Sequence, residues 1–154
     1  MSLADDLYRE VILDHFQNPR NHGRLASPDV EVKGHNPLCG DECLLTMVLT
    51  ADKVHDLRLD AHGCSISQAS ASMMSEAIKG KSLEEAQNLT HAFKSMMLSG
   101  EDAKLPGDLE DLGSLEGVKK YPVRIKCALL AWNTFLQGLS EWRAGHRAGE
   151  YHES

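Results

Sequence analysis

The chain is predicted to fold as an α+β domain, a small three-stranded antiparallel sheet packed against helices that follow it in sequence. Three observations predict this. Residues 43–50 alternate cleanly, with Cys43, Leu45, Met47 and Leu49 on one face and Leu44, Thr46, Val48 and Thr50 on the other. After Cys64 the apolar period changes from that of a strand to that of a helix. No internal repeat or low-complexity linker divides the 154 residues, so residues 1–142 read as one domain and 143–154 as a polar, disordered C-terminal tail.

Each element has its own signal. Apolar residues at Leu3, Leu7, Val11 and Leu13, with acids in the first turn, predict a helix over 3–16. It ends in the loop Asn18-Pro19-Arg20-Asn21-His22-Gly23. Val30 and Val32 flanking Glu31 predict a short strand ending at Gly34. The long strand over 43–50 follows, and Ala51-Asp52-Lys53 reads as a hairpin turn. Leu57 and Leu59 alternate with polar residues in a third strand over 54–60, completing an antiparallel meander.

Ser65 is placed to cap a helix over 66–78, rich in Ala, Ser and Met for close packing on the sheet and stopped by Lys79-Gly80. Ser82-Leu83-Glu84-Glu85 is a capping box that opens a helix toward Met97. Residues 99–120 are acidic, glycine-rich and weakly periodic, which predicts a loop with at most short turns. Tyr121-Pro122 opens the last helix, in which Ile125, Leu129, Trp132 and Leu136 form one stripe.

Composition bounds the function. A net charge of −7 argues against a nucleic-acid partner, which would favour a basic stripe. No apolar run approaches the roughly 18 residues of a membrane span, and Met1 to Arg9 is too polar for a signal peptide. A soluble cytoplasmic protein without a membrane partner is expected. In a reducing compartment, Cys39, Cys43, Cys64 and Cys127 read as metal-binding, catalytic or buried thiols rather than disulfides.

The segment His35-Asn36-Pro37-Leu38-Cys39-Gly40-Asp41 is the strongest chemical signal. Pro37 fixes its own φ and holds Asn36 extended, while Gly40 allows the bend that turns Cys39 and Asp41 toward one point. Cys64 at a helix start and Cys127 one turn into the last helix occupy comparable punctuation points. With Asp41 and Cys39 they would satisfy a tetrahedral zinc ion. Two other readings stay open: four buried, unrelated thiols, or a site in which Cys43 replaces Asp41. Strand parity puts Cys43 on the apolar face with Leu45 and Met47, which favours a core role. His62, beside Gly63-Cys64, is placed near the site as an outer group, while the remaining histidines are scattered. Arg124 and Lys126 lie close to Cys127 and are placed to steady anionic sulfur, unless they are two solvated helix charges.

Three cysteine motifs then carry a resemblance. Asn36-Pro37-Leu38-Cys39-Gly40-Asp41, Gly63-Cys64-Ser65-Ile66-Ser67 and Lys126-Cys127-Ala128-Leu129-Leu130-Ala131-Trp132 resemble the IscU/NifU-like superfamily. So do Leu7-Tyr8, Asp14-His15-Phe16 and Asn18-Pro19-Arg20-Asn21 near the N-terminus. Lys126, where scaffold members have histidine, and the long segment 99–120 resemble the SufU branch. The resemblance implies an IscU-like fold and a zinc-dependent sulfurtransferase. It implies that persulfide sulfur comes from a SufS-type cysteine desulfurase and passes to a downstream Suf scaffold complex. By carry-over, Cys39, Asp41, Cys64 and Cys127 are the zinc ligands, Cys39 the sulfur acceptor and Arg124 a candidate catalytic residue. Cys43 departs from the usual pattern. The alternative is a non-enzymatic scaffold holding a [2Fe–2S] cluster at the same residues. A second alternative is a binding module with a structural zinc.

Overall fold

Strand parity decides the architecture. The computed structural model describes residues 3–37, 40–99 and 114–153, with backbone alone at 3–8, 99, 114 and 116. In it β1 (Val30–Asn36), β2 (Asp41–Leu49) and β3 (Val54–His62) form the expected antiparallel meander. Val32 lies opposite Leu45 and Leu45 opposite Leu59. These residues, with Val30, Cys43, Met47 and Leu57, are buried on the helix-facing side.

The sheet has four strands, not three. Residues 148–152, expected in a polar tail, form β4 (Ala148–His152), which pairs parallel to β1 and gives the order β3-β2-β1-β4. Only Gly149 and Tyr151 of this strand are half-buried, while Ala148, Glu150 and His152 are exposed. A five-residue strand whose one large apolar side chain is Tyr151 carries almost no periodic signal, and it is held by backbone pairing with β1. Beyond it, Glu153 is buried, accepting from Tyr151 Oη at 2.8 Å and from Asn133 Nδ2 at 3.2 Å.

The helices are α1 (Leu3–Gln17), α2 (Ser65–Ile78), α3 (Leu83–Ser99) and α4 (Pro122–Arg143). No helix among the described residues is long and apolar enough to cross a membrane. Ser82 caps α3 as expected, its Oγ accepting from the Glu85 N–H at 3.0 Å. Within the predicted loop, Ser114–Lys120 forms a 3-10 helix that buries Leu115 and Val118, while 100–113 lie outside the described residues. In α1, Val11 and Ile12 pack on the core, but Leu13 is exposed, and the expected contributions of Leu3 and Leu7 lie outside the described side chains.

Helix α4 exceeds its predicted single stripe: Cys127 to Phe135 are buried without interruption. It touches β1, β2 and β4 on one side and α2, α3 and the 3-10 helix on others, so it is a central helix whose middle is buried all round. Trp132 stacks on Phe93 with ring centroids 4.4 Å apart and donates its Nε1–H to Ser70 Oγ at 3.0 Å. Ser70 in turn donates to the Ala128 carbonyl at 2.6 Å. Two further buried serines of α2 serve α1 and the loop after it: Ser72 Oγ meets His15 Nδ1 at 2.8 Å and Ser75 Oγ accepts from Asn21 Nδ2 at 3.0 Å. Small hydroxylated residues thus let α2 approach two neighbours closely while satisfying their polar groups.

Candidate metal centre

Three segments meet at one end of the sheet. Asp41 begins β2 and is buried, Cys127 is buried in the second turn of α4, and half-buried Cys64 stands at the start of α2. Among the described residues, these three are the set whose ligand atoms all lie within 4.8 Å of one another. Cys39 lies outside the described residues. Of the described residues around it in sequence, Gly40 donates its N–H to the Asn36 carbonyl at 2.9 Å and has φ 74°.

Local structure aims each donor. Cys64, rather than Ser65, is the N-cap of α2: its extended backbone precedes the helix and its Sγ accepts from the Ser67 N–H at 3.4 Å. Sulfur thus occupies the place a serine oxygen usually takes, at the positive end of the helix dipole. The Cys64 N–H donates to Asp41 Oδ1 at 2.9 Å, leaving Oδ2 turned toward Cys64 Sγ at 3.6 Å. Cys127 Sγ lies 3.6 Å from the Val123 carbonyl one turn earlier in α4.

Gly63 is a functional position that the motif reading passed over. A Cβ there would stand 2.1 Å from Asp41 Oδ1, and its φ of 138° lies where L side chains are strained. The glycine is what lets the β3–α2 junction press against the carboxylate. The signal was present in the Gly-Cys pair, which invites a close-approach reading.

Other expectations resolve differently. Exposed His62 turns away from the centre and pairs with Asp60 Oδ1 at 2.9 Å, because strand parity sends it to the outer face of β3. Arg124 is exposed and Lys126 half-buried in the first turns of α4, on the same helix end as Cys127. Cys43 is 4% exposed and donates to Thr134 Oγ1 at 3.5 Å. Burial pushes its thiol up from 9.0 to about 11, with Thr134 and Gly34 hydrogen bonds opposing and the Asp41 charge adding slightly.

A raised folded-state value favours the protonated thiol, so its contribution to stability is complete below about pH 9 and is lost as pH climbs toward 11. Cys43→Val is therefore expected to flatten the loss of melting temperature between pH 8.5 and roughly pH 10.5. Parallel slopes for the two proteins would show that Cys43 does not titrate this way.

The donor chemistry fits zinc. Two thiols and a carboxylate suit a borderline-soft divalent ion, and tetrahedral bonds of about 2.0–2.3 Å set ligand atoms roughly 3.5–3.8 Å apart. The 3.6 Å between Asp41 Oδ2 and Cys64 Sγ is of that order.

Comparison with known proteins agrees with the geometry. The zinc-dependent sulfurtransferase SufU of Bacillus subtilis is 46% identical over 142 residues, covering 92% of this chain and 95% of that protein. The iron–sulfur cluster assembly scaffold protein IscU of Streptococcus pyogenes is 40% identical over 139 residues, covering 90% and 86%. A crystal structure from Fervidobacterium islandicum, described as a candidate iron–sulfur cluster assembly scaffold for the SUF system, superposes with a TM-score of 0.76 at 37% identity. That match covers 84% of this chain and 94% of that one. The sequence profile of the NifU-like N-terminal domain matches residues 7–147, spanning α1, the meander, the three converging segments and α4, and the chain belongs to that family.

Proposed function

We propose that this protein is a zinc-dependent sulfurtransferase of iron–sulfur cluster assembly, accepting persulfide sulfur from a SufS-type cysteine desulfurase. In this reading Asp41, Cys64, Cys127 and Cys39 hold zinc, Cys39 is the acceptor, and a downstream Suf scaffold complex receives the sulfur. The observation that carries it is the convergence of Asp41, Cys64 and Cys127 from three segments, with Cys39 two residues before Asp41 in the chain. The name of the B. subtilis relative supports the activity.

Zinc, when bound, supplies a centre that keeps cysteine ligands as thiolates at neutral pH. The chain supplies the rest. The Cys64 N–H fixes the Asp41 carboxylate through Oδ1, so that Oδ2 faces the Cys64 thiol. Arg124, exposed at the end of α4 nearest Cys127, is assigned the role of steadying anionic sulfur. In the transfer, the Cys39 thiolate attacks the outer sulfur of the desulfurase persulfide. A new S–S bond forms on Cys39, the old one breaks, and the desulfurase cysteine leaves as thiolate, with no net oxidation.

The experiment combines metal analysis of unreconstituted protein with a desulfurase assay. Stoichiometric zinc, and faster release of alanine and sulfide from cysteine in the presence of reductant, are expected. Asp41→Ala should lower that stimulation and the retained zinc while Cys39 stays alkylatable, because it removes the one non-thiolate ligand. The scaffold-named relatives favour a second reading, a [2Fe–2S] scaffold on the same donors. Iron and sulfide in the purified protein, with a desulfurase indifferent to it, would establish that reading instead.

A further inference from the structure

The sheet face turned away from the helices carries a second set of metal-ligating side chains. At the end nearest the β1–β2 turn, one residue from each strand stands in a row: His62 on β3, Glu42 on β2, His35 on β1 and His152 on β4. Each lies opposite its neighbour in the strand register. The row borders a cavity of about 250 Å³, which Glu150, Asp60 and Lys33 also line. Parity separates it from the thiol centre: Asp41 and Cys43 face the helices, and Glu42 between them faces out.

We propose that His35, Glu150 and His152 bind one divalent transition-metal ion of the zinc, cobalt or nickel class on this outer face. Imidazoles beside carboxylates are the donors such ions take. Two of the three donors are already spaced for it. His152 Nε2 lies 3.4 Å from Glu150 Oε2, the separation that bonds of about 2.0–2.2 Å set around a tetrahedral ion. The His35 ring stands edge-on to His152 with centroids 6.2 Å apart, so in the proposed site binding the ion turns the His35 side chain to bring in the third donor.

The backbone under this pair is fixed. The Glu153 N–H donates to the His35 carbonyl at 2.8 Å, and the side chains flanking His152, Tyr151 and Glu153, are hydrogen-bonded to each other on the inner side. Ligands on a braced strand pair lose little freedom on binding. Charge selects a cation, since Glu42, Asp60 and Glu150 outweigh Lys33 around the cavity. His62, engaged with Asp60, forms the far wall and is not a ligand.

The test is a cobalt(II) titration of the zinc-loaded full-length chain. One further equivalent of cobalt is expected to bind, with weak d–d absorption and no sulfur-to-cobalt charge-transfer band. His152→Ala should weaken that equivalent about tenfold or more, since even outer partners of metal ligands are worth 10–100-fold. The His35→Ala/His152→Ala double variant should lose it, and His62→Ala should keep it, with circular dichroism confirming that all are folded. No second equivalent, a sulfur band on the second equivalent, or undiminished binding by the double variant would overturn the proposal. If the purified chain carries no zinc, the first cobalt equivalent shows the sulfur band and the second does not. The outer site is therefore read independently of the thiol centre's metal.

Discussion

Cys39→Ala is expected to reduce sulfur acceptance from a cysteine desulfurase to background, while Cys43→Val keeps most of it. The contrast follows from where strand parity leaves Cys43. Cys43 is walled in by the core and bonded to Thr134, and its thiol is pushed up to about 11. At pH 7 that leaves on the order of one thiolate in ten thousand, and the thiolate is the nucleophile. Cys39 is two positions before Asp41 in the chain, ahead of the first residue of β2. Trapping after one desulfurase turnover, followed by alkylation and mass analysis, should place the added sulfur on the Cys39 peptide. If Cys43→Val lost metal and transfer while Cys39→Ala kept both, the assignment of acceptor and ligands would be wrong.

Stripping zinc from the proposed centre is the second large effect. The cost should be about 3–5 kcal/mol, below the roughly 10–16 kcal/mol of zinc-finger peptides, because this chain has its own apolar core. Asp41, Cys64 and Cys127 come from β2, the start of α2 and α4, so one ion cross-links three segments that are otherwise joined by packing and a few hydrogen bonds. Its loss also leaves a buried carboxylate beside the Cys64 and Cys127 thiols without the cation, and the Cys64 N–H on Oδ1 is a poor exchange for that charge. For a chain of this length the melting temperature should fall by roughly 10 °C. Melts with and without a strong chelator, with metal loss verified, measure this, and coincident curves would remove the structural role of the metal.

What was legible in the sequence was whatever rests on local chemistry. The alternation of residues 43–50, the Ser82 cap and the Pro122 helix start each depend on a few adjacent residues, and each appears where expected. The meeting of Asp41, Cys64 and Cys127 was legible because turn and helix-start positions gather at the ends of a sheet. The misreadings were relational. Cys64 took the capping role from Ser65 because the chain presses Gly63 against Asp41, a contact between distant segments. The unbroken burial of α4 from Cys127 to Phe135 depends on how many partners surround it, which its own period cannot report. The strand β4 is defined by the neighbour it pairs with rather than by its residues.

That last strand also sets an order of events during synthesis. The meander can close as soon as β3 is made, since its hairpins join neighbours in sequence. The other edge of β1, at residues 30–36, must wait for residues 148–152, and so stays open while three helices' worth of chain is still being added. An unpaired edge is a template for another copy's strand. Nascent chains stalled between α2 and α4 should therefore be the species most prone to aggregate, and the most dependent on a chaperone that shields β1.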